Sequence, residues 1–534
     1  MPASNNNAKA CHNCRRRRLR CDRSWPTCNK CLIGGLECLG YGKIFVWTQP
    51  DDASAASGPP PPPASFPPDF LRAALPPPPD GQHATTIQAS GGRAISREDD
   101  DDAAAKSTIT TLASPLSRLT DPIFQDLDHN SRYYLTHFAN RVCQDLVARD
   151  GPGLNPFREL IPLTNKHPLL QQIVIATSAI HWVNIFRPAG TPTTGISDPG
   201  GYMTAMRSKD LVAQKALTDA LIARQKALGY MRELLETLDA EGSELALAAM
   251  HFFIKFDLID TEMSDTKNWQ AHLEGASSLL ALSPDGMNSP SSQMLRDYVV
   301  ADYFIYHILG STLTSGAHAA RMARHAVQLL PVMKRVEMNI YLACPPEILQ
   351  AILVASQLSY EKAATDETLT AADEAIALFD QAVNYDMPSW VAHLQAATAI
   401  TDTESRIHVA SAYRSSACLY VLQALPPIRA VRPLETQQLV DDILDHLSFI
   451  DDADPYFKAI SWPLFIAGAE SNDPEKRKWV MERLLRIWKI CPWGYLFTAI
   501  EMLKAAWELR DTRPETEVNW LQELKRMGFD YLII

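Results

Sequence analysis

The chain has no run of about 18 consecutive apolar residues, so a transmembrane helix is not expected. Its opening residues, Met1-Pro-Ala-Ser-Asn-Asn-Asn7, lack the apolar stretch of a secretory signal. A reducing compartment is therefore expected, where disulfides are disfavoured and clustered thiols bind metal. Positive charge is also in deficit, with a net charge of −12, which at first sight argues against nucleic acid. Catalytic signatures are missing too: there is no Gly-x-Ser-x-Gly elbow, His-Glu-x-x-His, phosphate-cradling loop or Rossmann glycine fingerprint. None of the 14 histidines forms an evident ligand pair with a carboxylate at helical spacing outside an ordinary core context. An enzyme is not expected. Alternating strands with Asn-Gly or Asp-Gly turns are scarce, and no fixed-period repeat supports a solenoid.

What is present is unevenly distributed. Between Lys9 and Lys43, nine Lys and Arg face only Asp22 and Glu37, a net of +7 that leaves −19 on the remainder. A basic head on an acidic body is the charge footprint of a small DNA-contacting module joined to something larger. Six of the ten cysteines lie in the first 38 residues. The other four, Cys143, Cys344, Cys418 and Cys491, are isolated and read as buried thiols with no special chemistry.

The chain divides accordingly. Residues 10–47 form a cysteine-rich unit too small to bury an adequate core without a staple. A disordered linker is expected over 48–114: from Pro59 to Pro79, 11 of 21 residues are proline, and the acidic run Glu98-Asp-Asp-Asp-Asp102 follows. From 115 to 534 an all-α domain is expected, long enough for a large core with apolar residues at 46% of the chain. Ser131 is a candidate cap for a helix carrying Leu135, Phe138, Val142 and Leu146 on one face, and Leu169 to Trp182 suits a buried helix. Leu211, Leu217, Leu221 and Leu228 mark another helix. Asp473-Pro474 offers an N-cap and first-turn proline ahead of Val480, Leu484 and Ile487.

The decisive pattern is Cys11-x2-Cys14-x6-Cys21-x6-Cys28-x2-Cys31-x6-Cys38, one Cys-x2-Cys-x6-Cys unit written twice. A Cys-x2-Cys pair puts two sulfurs on one metal, and a short helix carries the chain round to a third. Structural zinc takes four ligands tetrahedrally. Two zinc ions need eight ligand positions and only six thiolates are present, so two sulfurs must bridge; the first cysteine of each unit, Cys11 and Cys28, is the symmetric choice. Three disulfides would require an oxidising compartment. A mononuclear site leaves the doubling unexplained, and a RING-type module uses eight ligands including histidine, a set His12 is poorly placed to complete.

The segment from Ala10 to Cys31 resembles the binuclear zinc cluster of fungal transcription factors, with Pro26 matching the loop proline between the halves. The resemblance implies two Zn2+, bridged by the first and fourth cysteines. It also implies double-stranded DNA as partner, read at a CGG-like triplet, with Arg17 and Arg18 approaching base edges. The family usually carries lysine at the second of these positions. Arg15, Arg16, Arg20, Arg23 and Lys30 would hold phosphates, which positions a module without specifying sequence. The arginine run also fits a nuclear-import signal, and the nucleus is the expected location.

No sustained heptad follows the cluster, so the module binds as a monomer or the C-terminal domain pairs two copies as a homodimer. Within the large domain, Trp269-Gln-Ala-His-Leu-Glu-Gly-Ala276, Ile460-Ser-Trp-Pro-Leu-Phe-Ile-Ala-Gly468, Lys478-Trp-Val-Met-Glu-Arg483, Trp507-Glu-Leu-Arg-Asp511 and Asn519-Trp520 are similar to motifs of the second type of fungal-specific transcription factor domain. Gly40-Tyr-Gly with Trp47 resembles the acriflavine-sensitivity-control subgroup. Such domains are all-α, non-catalytic, and regulate through effectors, co-regulators or the transcription machinery. Leu439 to Asp452 has the acidic-apolar composition of an activation segment, but Leu439, Ile443 and Leu447 share a helical face, which reads as a packed helix; Thr120 to Asn130 is the alternative segment. The expected architecture is a small zinc-stapled two-helix DNA-binding module, a Pro-rich linker and a large all-α regulatory domain. The competing expectation is a zinc-dependent protein-interaction scaffold that does not bind DNA.

Overall fold

The computed structural model describes residues 14, 20, 21, 31, 127–151, 153–185, 211–261, 268–282, 290–314, 317–337, 340–364, 370–397, 402–431, 436–512 and 518–534. The chain separates into two units, residues 1–107 and 108–534. The expected Pro-rich linker lies outside the described residues.

In the larger unit every regular element among the described residues is helical. Its first half is built from α1 (His129–His137), α2 (Pro168–Ile185), α3 (Leu211–Glu236), α4 (Ala240–Ile259), α5 (Asn268–Leu282), α6 (Pro290–Leu313) and α7 (Ala317–Val336). The second half comprises α8 (Pro346–Ala364), α9 (Thr370–Val383), α10 (Met387–Ala397), α11 (Thr403–Ala424), α12 (Thr436–Ser448), α13 (Ser461–Glu470), α14 (Pro474–Ile490), α15 (Tyr495–Thr512) and α16 (Trp520–Arg526).

Two helices are buried on nearly every side and organise the rest. The apolar run from Leu169 forms α2, packed by α1, α3 and α4. Helix α11, buried from Val409 to Ala424 apart from Arg414, is enclosed by α8, α9, α10, α12, α13 and α16. Outer helices show the one-sided pattern expected of them. Asp473 caps α14 through a hydrogen bond from the Glu475 amide at 2.9 Å, Pro474 opens it, and Val480, Leu484 and Ile487 face the core. Helix α12 buries Val440, Ile443, Leu444 and Leu447, so the acidic-apolar segment is a packed amphipathic helix. Val440 lies in the core, while Leu439 is only half-buried.

One local expectation is corrected. Asp128, not Ser131, caps α1: its Oδ1 accepts from the amides of Asn130 and Ser131 at 2.9 and 3.1 Å. Ser131 sits inside the first turn and donates its hydroxyl to the same carboxylate, because an ionised oxygen is the stronger acceptor for the exposed amides. Leu135, Phe138, Val142 and Leu146 are all buried as expected, carried through a π-turn at Phe138–Val142. The helix marked by Leu211, Leu217, Leu221 and Leu228 forms as expected, as α3, though not all four leucines face the core. Leu211 is 75% exposed and Leu228 is exposed too, while Ala216, Leu217, Ala220, Ala223, Ala227 and Met231 are buried. Small side chains let the α3 backbone lie close against α2.

Gly494 marks the tightest approach. Its amide donates to the Ile259 carbonyl at 3.0 Å, and a Cβ there would lie 2.1 Å from the Asp260 carbonyl oxygen. Asn184 straps the same junction, donating to the carbonyls of Ile259 (2.6 Å) and Pro492 (2.9 Å). The obstacle is backbone rather than a pliable side-chain tip. Gly494→Ala is expected to lose ~1–3 kcal/mol or more in urea unfolding, and a variant as stable as the parent would contradict this packing.

Candidate metal centre and nucleic-acid interface

Four of the sequence-predicted site residues are described. Cys14 and Cys31, the second cysteines of the two units, both occupy helical backbone and are each only 2% exposed. Cys21, the third cysteine of the first unit, is half-buried on non-helical backbone, and its neighbour Arg20 is exposed. Cys11, Cys28 and Cys38, with Arg15, Arg16, Arg17, Arg18, Arg23 and Lys30, lie outside the described residues. What is described fits a two-zinc cluster: equivalent sulfurs share one environment, sheltered as thiolate ligands require, while an adjacent guanidinium faces solvent. Among the described residues no group of three His, Cys, Asp or Glu is placed to hold a metal ion.

In the larger unit the isolated cysteines are buried, as expected. Burial pushes the Cys418 thiol up to about 12 and raises Cys143, Cys344 and Cys491 as well, so none is a ready nucleophile at neutral pH.

Two polar clusters in the interior carry no signal in the sequence. In the first, Asp302 Oδ2 meets His251 Nε2 at 2.7 Å, Lys255 Nζ at 3.0 Å and the Tyr306 hydroxyl at 3.2 Å. The Lys255 ammonium also lies over the rings of Trp493, Tyr306 and Tyr341, 5.0 to 5.7 Å from their centroids. Burial would raise the Asp302 carboxyl, but the charge of Lys255 and the hydrogen bonds from His251 and Lys255 hold it below the usual range. In the second cluster, His137 Nε2 and His181 Nδ1 are 2.9 Å apart, His181 Nε2 meets Asp145 Oδ2 at 2.9 Å, and the Trp493 indole donates to that oxygen at 3.2 Å. Trp493 thus touches both clusters. Asp442 and His446 form a looser contact at helical spacing, 3.7 Å apart on α12, which the sequence reading passed over.

Glu470, the last residue of α13, is a third junction. Its Oε2 accepts from Gln423 of α11 at 2.6 Å and Trp520 of α16 at 2.8 Å, and pairs with Arg510 of α15 at 3.2 Å. The motifs that carried the resemblance are parts of this packing. Trp462 is fully buried against Tyr413, and Trp507 donates to the Gly468 carbonyl at 2.8 Å. Trp269 fills the notch at Gly310, while His272 stacks on Phe253 with centroids 4.9 Å apart.

Burial leaves three of these histidines averse to protons. His137 is held well below 6.5 by burial and then by His181; His251 is lowered by burial against the pull of Asp302; His272 falls to about 4 through burial and Arg224. Below pH 6.5 the unfolded chain takes up protons that the folded one refuses. Stability is therefore fully present above 6.5 and expected to decline as pH falls below it, for His272 by about 1.4 kcal/mol per pH unit down to its folded value of about 4. Urea unfolding at pH 7.5, 6 and 5 checks this; a midpoint unchanged across that range would contradict it.

An all-helical unit whose polar clusters serve as internal struts, preceded in the sequence by a six-cysteine module with exposed arginine, defines a zinc-binding, DNA-binding regulator of transcription. Residues 9–45 match the fungal Zn(2)-Cys(6) binuclear cluster domain, and residues 133–534 match the fungal specific transcription factor domain. Across 601 aligned residues, covering 98% of this chain and 97% of the relative, the sequence is 32% identical to the acriflavine sensitivity control protein acr-2 of Neurospora crassa. No solved structure matches it. The chain belongs to the fungal transcription factors that pair a Zn(2)-Cys(6) cluster with a fungal specific transcription factor domain, and it binds two zinc ions.

Proposed function

We propose that this protein is a non-enzymatic, sequence-specific regulator of RNA polymerase II transcription in the nucleus. Residues 10–47 are the DNA-binding module, 48–114 a linker and 115–534 the regulatory domain. Cys11 and Cys28 bridge the two zinc ions, with Cys14, Cys21, Cys31 and Cys38 as terminal ligands. Arg17 and Arg18 read a CGG-like triplet, while Arg15, Arg16, Arg20, Arg23 and Lys30 hold phosphates. The observation that carries this reading is the doubled cysteine frame enclosing an arginine run, with Arg20 exposed beside Cys21. The larger unit engages co-regulators or the transcription machinery, and the module binds DNA as a monomer or as a homodimer paired through that unit. The name of the Neurospora relative favours a drug-resistance gene set over a secondary-metabolite one.

Five phosphate contacts set a slope of about −4.5 for log affinity against log salt. Selection from random duplex by the zinc-loaded chain, followed by titration across salt concentrations, tests this. Arg17→Ala or Arg18→Ala is expected to cost ~1–3 kcal/mol and relax selection at one base pair, whereas Lys30→Ala should weaken all sequences alike and flatten the slope by about 1. A shallow salt dependence without selection would point instead to a protein-interaction scaffold.

A further inference from the structure

A pocket of about 270 Å³ opens where the Leu160–Leu163 turn meets the N-terminal halves of α2, α4 and α6. Its floor is apolar, made by Leu160, Leu170, Leu247, Val299 and Val300, all buried. Its walls include Leu163, Leu245 and Leu295, which are only half-buried and so hold apolar surface against water. The size suits a small organic molecule, and an apolar floor with a few polar groups at the mouth is the usual make-up of such sites.

The polar groups choose the charge. Glu159, Glu241 and Glu244 line the pocket with one imidazole, His167, and a single guanidinium, Arg296, which is buried and bonded to Glu244 at 2.9 Å. Glu159 and Glu241 stand exposed at the rim, and neither has an ion-pair partner among the described residues. An anion would meet two excess carboxylates. A strongly hydrated small cation gains nothing from the leucine floor. An organic cation with a planar or branched apolar body satisfies both.

We propose that this pocket is a binding site for a lipophilic organic monocation, seated with its apolar body on Leu170, Leu247 and Val300 and its charge toward Glu159 and Glu241. The site is independent of how the N-terminal module reads DNA, and its test needs no DNA.

Thioflavin T, a planar benzothiazolium cation that fluoresces when immobilised, serves as the probe on the full chain. Saturable one-site binding is expected, competed by other planar monocations and weakened by salt. Glu159→Gln with Glu241→Gln should weaken the cation about tenfold through loss of two attractive charges, while leaving the uncharged benzothiazole analogue unaffected. Both side chains are exposed, so the fold is retained. Ala248→Trp, which fills the pocket from its wall, should remove binding of the cation and the uncharged analogue alike. The proposal is overturned by absence of saturable binding, by an affinity unchanged in the double glutamine variant, or by equal binding of the anion 8-anilinonaphthalene-1-sulfonate.

Discussion

Replacing Cys11 by Ser is expected to take both zinc ions from the protein, not one. Six thiolates serve eight ligand positions only if two sulfurs are shared, and a hydroxyl does not bridge zinc as a thiolate does. Losing a bridge leaves each metal with three ligands at once. A structural zinc is worth ~10–16 kcal/mol to a small domain that has little core of its own, so the module should lose its fold and its DNA selection together. Metal analysis of the purified chain reads the result directly. Cys38→Ser, which removes a terminal ligand, should strip one zinc more readily than the other, and Cys143→Ser should leave two per chain. Two zinc ions retained by the Cys11→Ser protein would sink the bridging assignment.

The second large effect lies in the core. Asp302→Ala is expected to destabilise the larger unit by ~3–5 kcal/mol, because it strands the buried Lys255 ammonium without its counter-charge. Three aromatic rings around that ammonium offset only part of the loss. Lys255→Met combined with Asp302→Ala should recover much of the stability, since removing both charges leaves neither uncompensated. The native pair also has a defined pH signature. With the Asp302 carboxyl depressed, its stabilisation is complete above the ordinary value of 3.8 and fades as pH falls through the lower folded value. Urea unfolding of the three proteins decides the matter, and a double variant no better than Asp302→Ala would mean that packing, not charge, dominates here.

How legible this was depends on sequence distance. The zinc module is readable because its ligands lie within 28 residues and zinc fixes their number. Helix faces such as Val480, Leu484 and Ile487 are readable because a repeat of three or four residues is local. Helix α3 shows the limit of that rule: four of the six residues it buries are alanines, and alanine carries little periodic signal. The polar struts were illegible for a simpler reason. His251 and Asp302 are 51 residues apart, and Asp145 and Trp493 are 348 apart, so no spacing rule joins them. The pocket belongs to the same class, since Glu159 and Glu241 come from segments more than 80 residues apart and read singly as ordinary solvated glutamates.

The position of Glu470 bears on how this protein is made. A chain emerging from the ribosome presents Glu470 and Gln423 well before Arg510 and Trp520. Until those last segments appear, the carboxylate at the end of α13 can be buried only without its cation, an arrangement that costs several kcal/mol. The Glu470 junction must therefore wait for the final helices. A nascent chain stalled before Trp520 should therefore stay protease-sensitive around α11 and depend on chaperones, while addition of Trp520 and the residues after it would bring resistance all at once.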